Sequence, residues 1–112
     1  MKAKEEDPYH PIIDRPWDYE IVLLGWSRET ETDPSFLDLT LRKGTVLRRL
    51  RFAEPQEIEI EKGFSVKTGG LYIADVKHRG LDGITVRVSD FEASPGAIRF
   101  WARDVIDLDA QK

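Results

Sequence analysis

Three stretches of the chain alternate apolar and polar residues almost without error: Phe36-Leu37-Asp38-Leu39-Thr40-Leu41-Arg42, Ile84-Thr85-Val86-Arg87-Val88-Ser89 and Ile98-Arg99-Phe100-Trp101-Ala102-Arg103. A side-chain period of two marks a half-buried β-strand. The same reading along the whole chain predicts seven strands, over 18–27, 36–42, 45–52, 57–61, 71–77, 84–91 and 98–103. Val105, Ile106 and Leu108 either extend the last strand or form a short further segment. The first strand differs from the rest. Its run Ile21-Val22-Leu23-Leu24-Gly25-Trp26 is nearly continuous, which predicts burial on both faces or a central position.

Turn residues separate these runs. Residues 28–35 are wholly polar up to Asp33-Pro34 and read as a solvent loop. Gly44 supplies the positive φ of a hairpin joining strands two and three. Two registers are open for that hairpin: Leu41 opposite Val46, or Leu39 opposite Leu47. Arg79-Gly80-Leu81-Asp82-Gly83 is a turn before strand six, and Ser94-Pro95-Gly96-Ala97 fits a type II turn joining strands six and seven. If strand four pairs back on strand three, shared faces put Leu50 opposite Ile58, Arg51 opposite Glu57 and Arg49 opposite Glu59. No repeat and no amphipathic helix is present.

The predicted fold class is therefore all-β: a single antiparallel β-sandwich or partly open barrel of about seven strands. Residues 1–8 read as a disordered tail and 9–17 as an extended arm, shaped by Pro8, Pro11 and Pro16. Tyr9, Ile12, Ile13 and Trp17 give the arm something to dock with. Residues 18–109 form the domain.

Composition narrows the function classes. A chain of 112 residues fits one domain with its own core. It has no cysteine, which removes disulfides, zinc–thiolate sites and thiol catalysis. The charged start Met1-Lys2-Ala3-Lys4-Glu5-Glu6-Asp7 is not a secretory signal, and no run is long enough to span a membrane as a helix. These features predict a cytoplasmic protein. A net charge of −4 argues against a general nucleic-acid binder.

The search for catalysis is largely negative. His10 and His78 lie far apart in sequence, and no Gly-x-Ser-x-Gly elbow is present. Asp75-x-x-His78 lacks a third ligand at motif spacing, so no metal is assigned. Gly69-Gly70 and Gly80/Gly83 precede strands, where phosphate loops precede helices, and no cofactor is expected. An acid–base pair among Asp104, Asp107 and Asp109, or from Asp90 and Glu92, would need two carboxylates facing one cleft.

Two features point to binding. Arg42, Lys43, Arg48, Arg49 and Arg51 form a basic stretch without an acid, and Glu54, Glu57, Glu59 and Glu61 follow it. The complementary spacing favours a ladder of opposite charges over a basic stripe, built on Arg42, Arg49 and Arg51, for nucleic acid or an acidic partner. The sharper candidate is the last hairpin. Arg99, Trp101 and Arg103 share one face of strand seven, and Arg87 falls on the same side of strand six. Trp and Arg are enriched in binding hot spots, and Arg stacks on indole. The bland alternative places Trp101 under the arm or another layer, with the arginines covering it.

Leu50-Arg51-Phe52-x-x-Pro55-x-x-Ile58-x-Ile60, Gly70-Leu71-x-Ile73 and Gly96-Ala97-Ile98-x-Phe100-x-Ala102 resemble the strand-and-turn pattern of small all-β immunity proteins from bacterial polymorphic toxin systems. The likeness covers about residues 36–106. It implies a cytoplasmic, non-enzymatic protein that neutralises a cognate toxin by binding it, and it transfers no binding motif. The leading expectation is a non-catalytic protein-binding module that uses Arg87, Arg99, Trp101 and Arg103. The alternatives are a small-ligand or nucleic-acid binder with an arginine-rich face, and a carboxylate-based enzyme. Edge strands and a Trp-bearing face also allow a homodimer.

Overall fold

The computed structural model describes residues 7–60, 70–90 and 98–110. Eight strands form two four-stranded antiparallel sheets that face one another. The first sheet has the order β1-β2-β3-β8, from β1 (Glu20–Ser27), β2 (Phe36–Lys43), β3 (Val46–Ala53) and β8 (Asp104–Asp107). The second has the order β4-β7-β6-β5, from β4 (Gln56–Ile60), β7 (Ile98–Ala102), β6 (Val86–Asp90) and β5 (Leu71–Asp75). The all-β expectation holds, and the architecture is a sandwich. Val105, Ile106 and Asp107 belong to an eighth strand rather than to an extension of the seventh.

Alternation sets which residues meet between the sheets. Leu37, Leu39, Leu41, Leu50 and Phe52 from the first sheet are fully buried against Leu71, Ile73, Val88, Ile98 and Phe100 from the second. Phe52 and Phe100 touch edge to face across the interface, with ring centroids 5.0 Å apart.

Three expectations about pairing are corrected. The hairpin of β2 and β3 adopts neither predicted register: Lys43 lies opposite Val46, Leu41 opposite Arg48 and Leu39 opposite Leu50. Gly44 does take the positive φ, at 64°. The register was hidden because Arg48 occupies a core-facing position. It does so at the end of the strand, where its guanidinium reaches the Asp107 carboxylate and the Ile12 carbonyl.

Strand β4 does not pair with β3; it crosses to the other sheet and pairs with β7. Glu54 and Glu57 adopt positive φ angles of 49° and 54° on either side of Pro55, which turns the chain out of the first sheet. Leu50 therefore faces Asp107, not Ile58. Arg49 remains on the outside, as the charge pattern required.

Strand β1 is an edge strand rather than a central one. A bulge at Val22 breaks its alternation, placing Val22 and Leu23 consecutively before the regular pairs resume at Leu23–Thr40 and Leu24–Leu39. The apolar run reflects that bulge and an uncovered edge, not burial on two faces. Elsewhere the expected pairing of β6 with β7 is present, with Arg87 opposite Trp101. The turn at 94–97 lies outside the described residues, as do residues 61 and 91 at the predicted strand ends.

Candidate functional site

The outer face of the second sheet is built by register. Inward Val86, Val88, Phe100 and Ala102 leave Arg87, Arg99 and Trp101 pointing away from the core. Trp101 is half-buried. The Arg87 guanidinium lies 5.0 Å from its ring centroid, and that of Arg79 lies 5.9 Å away on the same indole. Both distances are within cation–π range. Arg99 sits one position along, 3.7 Å from the Glu59 carboxylate of β4. Arg103 departs from this group. It occupies the corner between β7 and β8, is 60% exposed, and approaches Glu54 at 3.8 Å. The structure thus brings Arg87 and Trp101 together, sets Arg99 beside them, and places Arg103 at the sheet junction.

Arg79 carries no alternation signal, because it lies in a single 3-10 turn, Lys77–Arg79, after β5. Its position depends on a contact across more than seventy residues of chain. The Arg79 guanidinium makes two hydrogen bonds to Asp7, at 3.0 and 2.6 Å, and His78 Nε2 lies 3.0 Å from the same carboxylate. The Asp7 side chain is only 7% exposed. Tyr72 donates its hydroxyl hydrogen bond to the Asp7 carbonyl. The arm therefore continues the second sheet past β5: the Asp75 amide donates to the Pro8 carbonyl and the His10 amide donates to the Ile73 carbonyl, each at 2.9 Å. Asp7 and Pro8 fall within the stretch read as tail, and they already hold the arm in place. Tyr9 bridges to Ala74, and its ring packs at a tilt on Trp17 and edge to face on Tyr72, with centroids 5.1 and 5.2 Å away. The result is an outer face bearing Tyr9, Tyr72, Arg79, Arg87 and Trp101.

The two titrating groups in the arm make its docking pH-dependent. Hydrogen bonding from Arg79 is the main reason the Asp7 carboxyl is held below its usual range; burial opposes it, and the charges of Arg79 and His78 reinforce it. Burial holds His10 below the ordinary histidine value, against the pull of Asp75 and Asp104. Its Nδ1 accepts a hydrogen bond from the Ile12 amide, which requires an unprotonated nitrogen. For His10, the undocked arm takes the proton first, so docking weakens as pH falls through about 6.5. For Asp7, the contribution is complete above about pH 4 and is lost as pH falls below that toward the depressed folded value. Amide-exchange protection at Asp75 and His10 is therefore expected to fall in these two steps, while protection at Leu39 and Leu50 persists. Equal loss at all four amides would show global acid unfolding instead.

The basic stretch is answered by acids, though not by the predicted ones. Arg42 pairs with Glu20 at 2.9 Å, Arg49 with Asp109 at 2.9 Å, and Arg51 with Asp38 through two hydrogen bonds of 2.8 and 2.9 Å. Arg51 also lies 3.8 Å over the Phe36 ring. These contacts occupy Arg42, Arg49 and Arg51 within the first sheet. Asp109 accepts hydrogen bonds from the Arg49 amide and guanidinium, which hold its carboxyl low.

The carboxylates considered for acid–base work have structural partners as well. Asp107 holds Arg48, Asp104 accepts from the Val105 amide, Asp109 holds Arg49 and Asp90 is buried at the end of β6, while Glu92 lies outside the described residues. Asp75, of the spacing Asp75-x-x-His78, accepts from the Lys77 amide. Among the described residues, no cluster of three metal-ligating side chains occurs, and no helix is long and apolar enough to cross a membrane. A concavity of about 470 Å³ lies beneath loop 28–35, floored by Phe36, Ala53 and Ile106 and rimmed by Asp33, Arg51 and Asp104. Comparison with protein-family models, curated proteins and solved structures returns no match.

Proposed function

We propose that this protein is a non-catalytic, protein-binding β-sandwich whose contact face is the outer face of the second sheet. The observation that carries this reading is Trp101, half-buried on an outward-facing strand with two guanidinium groups over its ring. Tyr, Trp and Arg together make an amphipathic surface of the kind that dominates protein interfaces. The face is also preorganised, because Asp7 fixes Arg79 and the β6–β7 pairing fixes Arg87. The resemblance of residues 36–106 to immunity proteins gives the reading a specific form: neutralisation of a cognate bacterial toxin in the cytoplasm by direct binding. Nucleic acid is disfavoured as the partner, since Arg42, Arg49 and Arg51 are already engaged by carboxylates.

Affinity capture from host lysate tests this directly. Wild type is expected to retain a protein partner with or without nuclease. Arg87→Glu and Trp101→Ala are each expected to weaken retention by roughly tenfold or more, as hot-spot truncations do. Retention that disappears with nuclease, or that ignores both substitutions, overturns the proposal.

A further inference from the structure

We infer that β1 is the edge through which two copies of this chain pair antiparallel, joining two four-stranded sheets into one of eight strands. This inference is independent of the outer face of the second sheet. The two sheets leave four edges, and three of them are protected. Strand β5 is covered by the arm through the Tyr9–Ala74 bridge. Strand β4 carries Glu57 and Glu59 and is broken by a bulge between Gln56 and Glu59. Strand β8 is four residues long and bears Asp104 and Asp107. Charges, bulges and shortness are the usual protections of a free edge. Strand β1 shares one of these protections, the bulge at Val22, but it is eight residues long and has no charge between Ile21 and Ser27. Val22, Leu23 and Trp26 are 43, 56 and 57% exposed. Among the described residues, nothing pairs with its far side.

The sequence of this edge is complementary to itself. A two-fold axis through Leu24 places Leu23 opposite Gly25 of the second copy. Leu23 and Gly25 share the outer face, opposite Thr40 and Asp38. The space where a Gly25 side chain would stand is empty out to 4 Å, so a leucine can occupy it. Past the bulge the inner side matches Ile21, opposite Leu41, with Trp26 of the second copy, opposite Leu37, apolar against apolar. At both ends the axis brings Glu20, which also pairs with Arg42 of its own copy, near Arg28, the nearest charges flanking the apolar run. A single strand pair is a small interface, of the transient class, so dimerisation depends on concentration.

Sedimentation velocity of the full chain, from low micromolar to hundreds of micromolar, tests the pairing. The wild-type species is expected to move from 12.9 kDa to twice that mass. Leu23→Lys, at an exposed position, is expected to remain monomeric throughout. Glu20→Lys and Arg28→Glu each set like charges together at both ends, and each is expected to weaken dimerisation by about tenfold. An equimolar mixture of those two variants restores attraction at both ends and is expected to recover the dimer. Far-UV circular dichroism verifies that each variant is folded. A wild-type monomer at every concentration overturns the inference, as does a dimer indifferent to Leu23→Lys or a mixture of the charge variants that fails to recover.

Discussion

Phe52→Ala is expected to lower the unfolding free energy by about 3–5 kcal/mol, the range for deleting a fully buried aromatic side chain. Phe52 is wholly inaccessible and spans the sandwich to meet Phe100 edge to face. Its removal deletes apolar burial, the aromatic contact and the support of a facing ring in one step. Two sheets joined by short corners have little freedom to collapse into the gap. Small domains have total stabilities of about 5–15 kcal/mol, so the variant loses a large share of its margin. Urea unfolding followed by tryptophan fluorescence measures the change. A loss below about 1 kcal/mol would mean that the two sheets are not joined through this contact.

Asp107→Ala is expected to cost about 2–3 kcal/mol, well above the 0–1 kcal/mol typical of an exposed ion pair. Arg48 faces the core side of β3 opposite Leu41, and its side chain and that of Asp107 are 26 and 14% exposed. Truncating the acid leaves a partly desolvated guanidinium with only the Ile12 carbonyl from its present partners. The pair is not fully buried, so the loss falls below the 3–5 kcal/mol of a deep pair. Replacing both members by apolar residues, as in Arg48→Met/Asp107→Leu, is expected to be much milder than Asp107→Ala alone. A double-mutant cycle in urea measures this. Additive losses would show that the two groups act independently.

These residues also show how far the sequence could be read. Strands β2 and β7 were legible because their alternation is unbroken and each buries one face, and β6 because it alternates through Val86, Arg87 and Val88 before Ser89 and Asp90 are both buried. The β2–β3 register was not, because Arg48 breaks the apolar pattern at a strand end and finds its partner on β8, 59 residues away. The crossing of β4 was hidden because left-handed Glu54 before Pro55 and left-handed Glu57 at the β4 bulge carry no glycine signal. The edge position of β1 was concealed by the bulge at Val22, which makes an exposed edge resemble a buried core strand. The pairing of Arg87 with Trp101 follows from parity along a hairpin and could be anticipated. The contributions of Arg79 and Asp7 could not, since they depend on the arm docking beside β5.

The three tryptophans report on different places: Trp101 on the outer face of the second sheet, Trp17 against Tyr9 at the arm end of that face, and Trp26 at the β1 edge. Hydroxyl-radical labelling read by mass spectrometry at all three, on dilute protein with and without its captured partner, therefore locates the contact in one experiment. Partner binding is expected to lower Trp101 oxidation several-fold and to leave Trp26 unchanged. Unchanged oxidation at Trp101 in the bound state would contradict the proposed contact face.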